Sequence, residues 1–539
     1  MKFKFLAAAL AATAAVSGCA LTGPARAPAV ASRVLLISVD GLHQQDVTNC
    51  MAAKTCPAIS SLAQTGINYT QALTPGLSDS FPGLAALLTG GSAKSTGLFY
   101  DVTYDRTLYS PADSTCSGPQ GWNVVFDGTT GFDGMNGGPL THLDGGGKFN
   151  PQSIPHAKVG GNCVAVYPHN YIQTNTVFEV VKEHLSGAKT AWADKHAWAY
   201  DWVNGPSGKG VDDLPRTEID SIDAATGTSY ADRYTHTQVF DNLHVQNIVH
   251  QINGRTSSGA VTSAVPTLFG GNFQTLSVAQ KALHANGGGY TDANFTPGPQ
   301  VAGAMAYIDA SLAKIVAELK ANNLLNSTLI VLTSKHGQSP GDFSKLVKVG
   351  DTLTALMQAN GYVDAQGKWG QHATTTGQLN DGTGLSGTGA IETDTIGLIW
   401  LKNQGQLAAA LATLNANLGC KPPGICADGP QAYILSGAAL TSRFGDPALG
   451  RTPDIVVQPN FGVIYSGSKK KDAEHGGDSA DDSHVALLVS LPSLSAQTNA
   501  SKVVTTQVAP TILSVLRLDP ALLNSVKAEG TRVLPGLEF

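Results

Sequence analysis

The stretch LSDSFPGLAALLTGG, at residues 77–91, decides how the chain is expected to fold. Small polar residues precede Ser80. Pro82 suits the first turn of a helix, because the N–H that proline lacks has no intrahelical partner there. The apolar run that follows predicts a helix that ends near Gly90. Ser80 therefore lies at a loop-to-helix junction, where free N–H groups and the positive end of the helix dipole can bind an anion.

Two roles remain open for the Ser80 hydroxyl. It is well placed to act as an activated nucleophile. Serine is also a preferred residue for capping a helix N-terminus, and on this motif alone capping is the more common case. The rest of the chain has to decide between these two roles.

The composition is that of a large globular protein. Of 539 residues, 42% are hydrophobic and 14% are charged, which suits a chain with an extensive core. The net charge of −6 argues against a nucleic-acid-binding protein, because such proteins carry basic surfaces. No internal repeat is present in the sequence.

The first residues indicate export. Lys2 and Lys4 precede an apolar run at residues 5–16, which is a secretory signal too short to span a membrane. The run ends in Val-Ser-Gly-Cys19, which resembles the lipobox of bacterial lipoproteins. This resemblance implies cleavage before Cys19, lipidation of that residue, and an outer-membrane or periplasmic location in a Gram-negative bacterium. The alternative is an ordinary signal peptide cut after Ala27.

The chain is accordingly divided into a signal peptide at residues 1–18, a linker at 19–32 and an α/β domain at 33–539. The lipid is expected to be its only membrane anchor. Six cysteines remain after Cys19, and an even number in an exported chain predicts disulfides. None of their spacings is that of a zinc finger. We expect nearest neighbours to pair, as Cys50–Cys56, Cys116–Cys163 and Cys420–Cys426.

Apolar, β-rich runs alternate with helical patterns, which predicts an α/β fold with a mainly parallel sheet. Helices are expected at residues 300–321 and 507–516. Residues 341–450 are looser and more polar, and we expect an inserted cap there. The strands predicted for the core sheet are 34–39, 266–272, 328–333, 454–458 and 485–490, with a further short strand at 189–193.

Polar residues lie next to several of these predicted strands. Asp40 follows the strand at 34–39, Lys335 and His336 follow the one at 328–333, and His475 precedes the one at 485–490. Ligands of open α/β sheets collect at the C-terminal ends of strands, so we expect these residues to share a site. Carboxylate and imidazole groups there can bind a divalent cation. Taken alone, an Asp before a Gly is more often a turn residue.

These pieces, in this order, resemble the alkaline phosphatase superfamily, and most closely its type I phosphodiesterase/nucleotide pyrophosphatase family. The resemblance spans roughly residues 33–520 and implies an alkaline-phosphatase-like three-layer sandwich. It also implies two metal ions, usually zinc and about 4 Å apart, that clamp a phosphoryl group while a hydroxyl group attacks phosphorus. The motifs that carry it are Ser-Val-Asp40-Gly, Ser80-Phe-Pro, Ser-Lys335-His336-Gly, His475-Gly-Gly-Asp and a C-terminal Val-Ala-Pro-Thr-Ile-Leu.

Carried over by position, the resemblance implies that Asp40, Ser80 and His336 bind one metal ion. His475 would bind the other, and Ser80 would be the nucleophile. Two departures from the family pattern matter. The family has Asp-His where this chain has Lys335-His336, so a carboxylate has become an ammonium group. The family also has an Asp and a His four residues apart after the strand at 266–272. Here Asn272 could replace that Asp as a neutral ligand, but no His follows.

Three hypotheses account for these departures. In the first, Lys335 supplies the charge of one missing metal, holding phosphoryl oxygens or lowering the pKa of Ser80, so that one divalent ion remains. In the second, Asp478, Asp481 or Asp394 rebuilds a site for the second ion. In the third, the site is degenerate and the protein is a binding lipoprotein.

Three further residues are candidates for substrate contacts. Lys195 and His196 follow the strand predicted at 189–193, although a solvated loop is an equal alternative. Arg106 could hold a phosphate through its planar guanidinium group. The sequence thus predicts an exported hydrolase that cleaves small phosphoric esters, nucleotides included, with one or two divalent ions, most naturally Zn²⁺. A catalytically degenerate binder and a sulfuric- or phosphonic-ester hydrolase are the alternatives, because the same geometry serves any tetrahedral anion.

Overall fold

A six-stranded sheet lies at the centre of the computed structural model, which describes residues 31–132, 147–223, 225–364 and 387–537. The predicted signal peptide and Cys19 lie outside the described residues. The strands are β1 (Arg33–Val39), β2 (Gly66–Leu73), β3 (Val102–Asp105), β4 (Trp122–Val125), β5 (His156–Val159), β6 (Asn162–Ala165), β7 (Ile222–Asp223), β8 (Thr228–Ser229), β9 (Leu268–Phe273), β10 (Thr328–Thr333), β11 (Val347–Lys348), β12 (Ala390–Thr393), β13 (Gly397–Trp400), β14 (Tyr433–Ser436), β15 (Ile455–Gln458), β16 (Val463–Ile464), β17 (Leu487–Ser490) and β18 (Gln497–Val504).

Helices separate many of these strands, which fits the predicted α/β class. The helices predicted at residues 300–321 and 507–516 are both found, within a few residues of their predicted ends. The helices are α1 (Gln44–Ala52), α2 (Pro57–Gln64), α3 (Ser80–Thr89), α4 (Ala93–Thr96), α5 (Pro168–Tyr171), α6 (Val177–His184), α7 (Tyr234–Ile252), α8 (Thr275–Lys281), α9 (Pro299–Ala321), α10 (Thr352–Ala359), α11 (Leu407–Ala416), α12 (Gly437–Phe444), α13 (Ala480–Ser483), α14 (Val508–Val515) and α15 (Asn524–Glu529).

The central sheet is mixed but mainly parallel, as predicted. Its strand order is β18-β2-β17-β10-β1-β9. β1 pairs in parallel with both β10 and β9, and β2 pairs in parallel with β18. β17 runs antiparallel to both of its neighbours, β10 and β2. The residues that precede β17 therefore lie at the same sheet edge as the residues that follow β1, β2, β9 and β10.

Helices cover both faces of this sheet, which explains the continuous apolar sequence of β1. Val34 and Leu36 pack on one face in a core that also contains residues of α3, α6 and α14. Leu35 and Ile37 pack on the other face, in a core shared with α2, α7 and α9. The predicted three-layer sandwich is therefore confirmed.

A second, antiparallel sheet with the strand order β12-β13-β15-β14 lies within residues 390–458. It has its own core, which includes Leu353, Ile399 and Val457. The prediction that residues 454–458 belong to the central sheet is wrong, because β15 pairs with β13 and β14. A fully buried apolar strand has the same pattern in either sheet, so periodicity could not separate the two cases. The other three strands of this sheet fall inside the predicted cap at 341–450.

The strand predicted at residues 189–193 is not a regular strand. Thr190 and Ala193 form single parallel bridges to Leu268 and Gly271 of β9, so this segment follows the sheet without joining its ladder. As a result, the residues that follow Ala193 reach the edge of the sheet at which β9 ends.

The cysteines pair as predicted, in the disulfides Cys50–Cys56, Cys116–Cys163 and Cys420–Cys426. Such bonds are typical of proteins from oxidising compartments. Among the described residues, none of the helices combines the length and the apolar character that crossing a membrane requires.

Candidate active site

Most of the polar residues predicted to form the site lie at one edge of the central sheet. Asp40 follows β1, Lys335 follows β10, and Asn272 lies near the end of the parallel strand β9. The chain leaves β2 at this edge and enters α3 at Ser80. His475 reaches the same edge because it lies in the loop before the antiparallel strand β17. This edge is where ligands of α/β sheets are expected to bind.

Ser80 is the first residue of α3 and is 1% exposed. Asp79 caps this helix by accepting a hydrogen bond from the Phe81 N–H, so capping does not require the Ser80 hydroxyl. The Ser80 Oγ instead lies 3.1 Å from Nε2 of His336 and 2.8 Å from Nζ of Lys195. The hydroxyl of Ser80 thus contacts an imidazole and an ammonium group at the N-terminus of a helix.

Gly83 allows α3 to lie directly against the end of β10. A Cβ atom at this position would be only 2.1 Å from the carbonyl oxygen of Lys335, which no larger residue could tolerate without a backbone shift. The glycine in the Ser80-Phe-Pro-Gly sequence therefore brings the nucleophile candidate close to the Lys335-His336 segment.

Asp40 is fully buried among basic groups. Its Oδ2 is 3.3 Å from Nζ of Lys195 and 3.7 Å from Nε2 of His336, while its Oδ1 is 3.6 Å from Nζ of Lys335. Burial alone would raise the pKa of Asp40, but Lys335 and then Lys195 lower it well below its usual range. Asp40 is therefore ionised, and it compensates the two ammonium groups.

Lys335 is also fully buried. Its ammonium group donates a hydrogen bond to Oδ1 of Asp194 at 2.9 Å and another to the Tyr200 hydroxyl at 3.4 Å. It also lies 4.6 Å from the centre of the Tyr200 ring. Two carboxylates and an aromatic face thus stabilise a charge that would otherwise be costly inside the protein. Sequence reasoning missed Asp194 and Tyr200, and the one available signal was that Asp194 directly precedes Lys195.

His336 presents an unprotonated nitrogen to Ser80. Its Nδ1 lies 2.7 Å from the Gly337 carbonyl oxygen, so Nδ1 carries the proton and Nε2 keeps its lone pair. Burial lowers the pKa of His336, which keeps the ring neutral near pH 7. The His475 ring packs against the His336 ring with the centroids 3.9 Å apart. Among the described residues Nδ1 of His475 has no hydrogen-bond partner, and it lies 3.9 Å from Oδ2 of Asp79.

Asn272 is buried near this edge but does not join the cluster of contacting polar side chains, which consists of Asp40, Ser80, Lys195, Lys335 and His336. Its Oδ1 meets no hydrogen-bond partner in the described part of the chain, and its Nδ2 donates to Gln274 at 3.5 Å. Within the described ranges it shares no hydrogen bond with Ser80 or Lys335. Its part as a metal ligand stays a prediction.

Two predicted substrate-binding residues make ion pairs away from Ser80. Nδ1 of His196 is 2.6 Å from Oε1 of Glu218 and 4.0 Å from Oδ2 of Asp220. The guanidinium group of Arg106 pairs with Asp454. Of the three residues predicted to contact substrate, the structure places Lys195 alone against Ser80.

The acids that were candidates for rebuilding a second metal site are each engaged by other groups. Asp478 pairs with Arg443 at 2.7 Å, Asp481 accepts a hydrogen bond from the Gly341 N–H at 2.7 Å, and Asp394 accepts one from Tyr100 at 3.0 Å. In the part of the chain that the structure describes, one group of at least three His, Cys, Asp or Glu side chains has ligand atoms within 4.8 Å of one another, and it comprises His196, Glu218 and Asp220.

The ion pair of His196 makes a testable contribution to stability. Burial alone would lower the pKa of His196, but Glu218 raises it to about 9. A raised folded-state pKa stabilises the fold fully below the unfolded value, about 6.5, and this contribution is lost as the pH rises through about 9. We expect His196→Gln to lower the free energy of unfolding in urea at pH about 6, and expect its difference from wild type to shrink towards pH about 9.

His184→Gln is the matched control for this measurement, because His184 is exposed at the end of α6. Its difference from wild type should stay small and constant over the same interval. A pH-independent effect of His196→Gln would contradict the prediction.

A cavity of about 600 Å³ lies beside the cluster. Lys195 and His475 line it, and Asp101, Glu392 and Asp394 contribute carboxyl groups to its wall. Burial, and then the neighbouring carboxylate of the helix-capping aspartate, raises the pKa of Asp101 to about 7. A cavity of this size accommodates a small-molecule ligand, which would meet the cluster through Lys195 and His475.

The cluster contains three of the ligand atoms expected for the first metal ion that the family resemblance implies. Asp40 Oδ2, Ser80 Oγ and His336 Nε2 lie within 3.7 Å of one another, a spacing that a shared ion could accept. Lys195 and Lys335, however, each face one oxygen of Asp40. With an effective dielectric constant of about 20, each ammonium group about 4 Å away repels a divalent ion by roughly 8 kcal/mol, so the two together cancel the attraction of the single Asp40 carboxylate. The residues present therefore do not fit a divalent metal ion at Asp40.

The comparisons with known proteins agree with this fold. The family model "Type I phosphodiesterase / nucleotide pyrophosphatase" matches residues 34–481. Murine ectonucleotide pyrophosphatase/phosphodiesterase 5 is 14% identical, with a TM-score of 0.52 over 90% of this chain and 96% of that chain. An inactive variant of the murine protein, in complex with AMP, is 14% identical, with a TM-score of 0.53 over 91% and 96% of the two chains. No curated protein matches the sequence significantly.

Proposed function

Because the chain belongs to the type I phosphodiesterase/nucleotide pyrophosphatase family, we propose that it hydrolyses phosphoric esters with Ser80 as its nucleophile. The observation that carries this proposal is the position of the Ser80 Oγ, between Nε2 of His336 at 3.1 Å and Nζ of Lys195 at 2.8 Å. The N-terminus of α3 adds backbone N–H groups that can bind phosphoryl oxygens.

His336 is the general base of the proposed reaction. Its Nε2 accepts the Ser80 proton as the Oγ attacks phosphorus and the bond from phosphorus to the leaving oxygen breaks. The proton passes from His336 to that leaving oxygen. Water then attacks the phosphoseryl group, gives a proton to His336, and releases the phosphate product as Ser80 regains its proton. The two steps together consume only the ester and one water molecule.

We propose small phosphoric esters as the substrates, with nucleotides as the first class to test. A protein of similar fold has been solved in complex with AMP, and the cavity of about 600 Å³ beside Lys195 and His475 has room for a ligand of that size. We also propose that the protein is exported and carries a lipid on Cys19. The three disulfides support an oxidising compartment.

The second candidate function is binding without catalysis. Lys335, which stands where the family pattern has a metal-binding carboxylate, favours this alternative. The contacts of the Ser80 hydroxyl favour hydrolysis, because a binding protein would not need a base beside a buried serine.

The test is a turnover assay of the purified protein with bis-p-nitrophenyl phosphate, p-nitrophenyl phosphate and p-nitrophenyl sulfate. We expect turnover of the diester, with a transient Ser80 adduct that keeps one p-nitrophenyl phosphoryl group and is detectable by mass spectrometry of the acid-quenched enzyme. Turnover of the sulfate alone would contradict the proposal and support a sulfuric-ester hydrolase. AMP binding in calorimetry without turnover of any ester would support the binding protein instead.

A further inference from the structure

We propose that the ammonium groups of Lys195 and Lys335 take the place of both metal ions, so that this site cleaves phosphoric esters without a divalent metal. The inference rests on the proposed function, and it names the groups that supply positive charge to that reaction. Enzymes of this family are generally dependent on Zn²⁺, so the proposal sets this chain apart from its relatives. Its grounds are the positions of the two lysines around Asp40 and Ser80.

Lys195 supplies the charge at the nucleophile. Its Nζ is 2.8 Å from the Ser80 Oγ and 3.3 Å from Oδ2 of Asp40. A fixed cation at this distance stabilises the negative charge on the Oγ as His336 removes its proton. A metal ion stabilises an attacking oxygen in the same way. Lys195 also lines the cavity, so the same ammonium group can meet the phosphoryl oxygens of an incoming ester.

Lys335 supplies a second charge, which is held rigidly. It is 0% exposed, and the carboxylates of Asp40 and Asp194 lie 3.6 Å and 2.9 Å from its Nζ. The Tyr200 hydroxyl, at 3.4 Å, restricts it further. A charge fixed in this way needs no reorganisation during the reaction, which is the condition for strong stabilisation of a transition state.

The local charge balance supports the replacement of the metal ions by lysines. An aspartate together with a divalent ion carries one net positive charge, and so does a single lysine. At Lys335 one side chain therefore replaces both the carboxylate that the resemblance implies and its ion. At the second site the implied aspartate has become the neutral Asn272, and Lys195, which lines the same cavity as His475, adds one positive charge there.

The first test compares turnover before and after metal removal. Wild-type protein is dialysed against EDTA, its residual metal is measured by inductively coupled plasma mass spectrometry, and bis-p-nitrophenyl phosphate is supplied with and without Zn²⁺. We expect unchanged turnover in the metal-free protein and no stimulation by Zn²⁺. Turnover that depends on both Ser80 and Zn²⁺ would overturn this inference but leave the proposed function intact. Turnover that is independent of Ser80 would overturn the proposed function.

Site-directed variants test the lysines themselves. We expect Lys195→Met to lower kcat by about 10²-fold to 10³-fold with little change in KM, and Lys195→Arg to recover part of the loss, because charge at the Oγ acts mainly in the transition state. Lys189→Met is the control, since Lys189 lies on the same segment but its side chain is 46% exposed. Equal turnover in wild type and Lys195→Met would overturn the role of Lys195.

Zinc calorimetry gives a readout that does not depend on activity. We expect wild type and Asp40→Asn to bind Zn²⁺ identically, because no ion binds at Asp40. The double variant Lys195→Ala/Lys335→Asp restores the ligand pattern of the family, and it should gain a Zn²⁺ site that Asp40→Asn removes. Zinc binding by wild type that Asp40→Asn abolishes would overturn the inference even if no ester is hydrolysed.

Discussion

Replacing Ser80 by alanine is expected to lower kcat/KM for bis-p-nitrophenyl phosphate by at least about 10³-fold. The substitution removes the atom that forms the bond to phosphorus, and no other described hydroxyl lies between His336 Nε2 and Lys195 Nζ. The residual rate would be that of water attacking an ester held by the two lysines. The measurement is steady-state turnover, with the phosphoseryl species followed by mass spectrometry.

The fold should survive this substitution. Removal of one buried hydroxyl costs on the order of 1 kcal/mol, which urea denaturation can measure. Ser78→Ala is the matched control, because the Ser78 hydroxyl is equally buried two residues earlier and bonds to Thr74 at 2.8 Å. Turnover that survives in Ser80→Ala, or an equal loss in both variants, would contradict the assignment of Ser80 as the nucleophile.

Replacing Lys335 by methionine is expected to lower the free energy of unfolding by about 3–5 kcal/mol, besides reducing turnover. Methionine has a similar length, so the main loss is the charge that compensates Asp194 at 2.9 Å and Asp40 at 3.6 Å. Asp194 would then lose its ammonium partner, and Asp40 would keep that of Lys195. Urea denaturation at neutral pH measures the effect.

The pH dependence separates this charge effect from a packing defect. Burial opposes the lowered pKa of Asp40, and Lys335 is the largest cause that lowers it. Stability from such a carboxylate is present above its unfolded pKa, about 3.9, and is lost as the pH falls through the lower folded value. The difference between wild type and Lys335→Met should therefore shrink below pH about 4. Lys314→Met, on the exposed face of α9, should change stability by less than about 0.5 kcal/mol.

The central part of the fold could be predicted because β1 and β10 are short, continuous apolar runs, as buried parallel strands are. β18 could not, since it reads QTNASKVV and most of its residues are exposed at the sheet edge. Backbone pairing with β2, rather than side-chain burial, makes it a strand. Such pairing leaves little trace in the periodicity of a sequence.

The site was predictable where a residue adjoins a recognisable element. Asp40 and His336 follow clear strands, and Ser80 begins a clear helix. The contact between Lys195 and Ser80 was not predictable, because it joins residues 115 positions apart and the segment before Lys195 forms only single bridges. The ion pair between Arg106 and Asp454 was not predictable either, because it joins distant parts of the sequence, and the substrate contact of Arg106 stays a prediction.

The pairing of β1 has a consequence for how the protein is made. Arg33 of β1 faces Thr328 of β10, and Val34 faces Leu268 of β9. During synthesis this apolar segment is made long before β9 and β10, and an unpaired apolar strand is prone to aggregate. Closing such long loops also slows folding. The sheet edge that carries Asp40 and Lys335 therefore forms only when β9 and β10 have paired with β1.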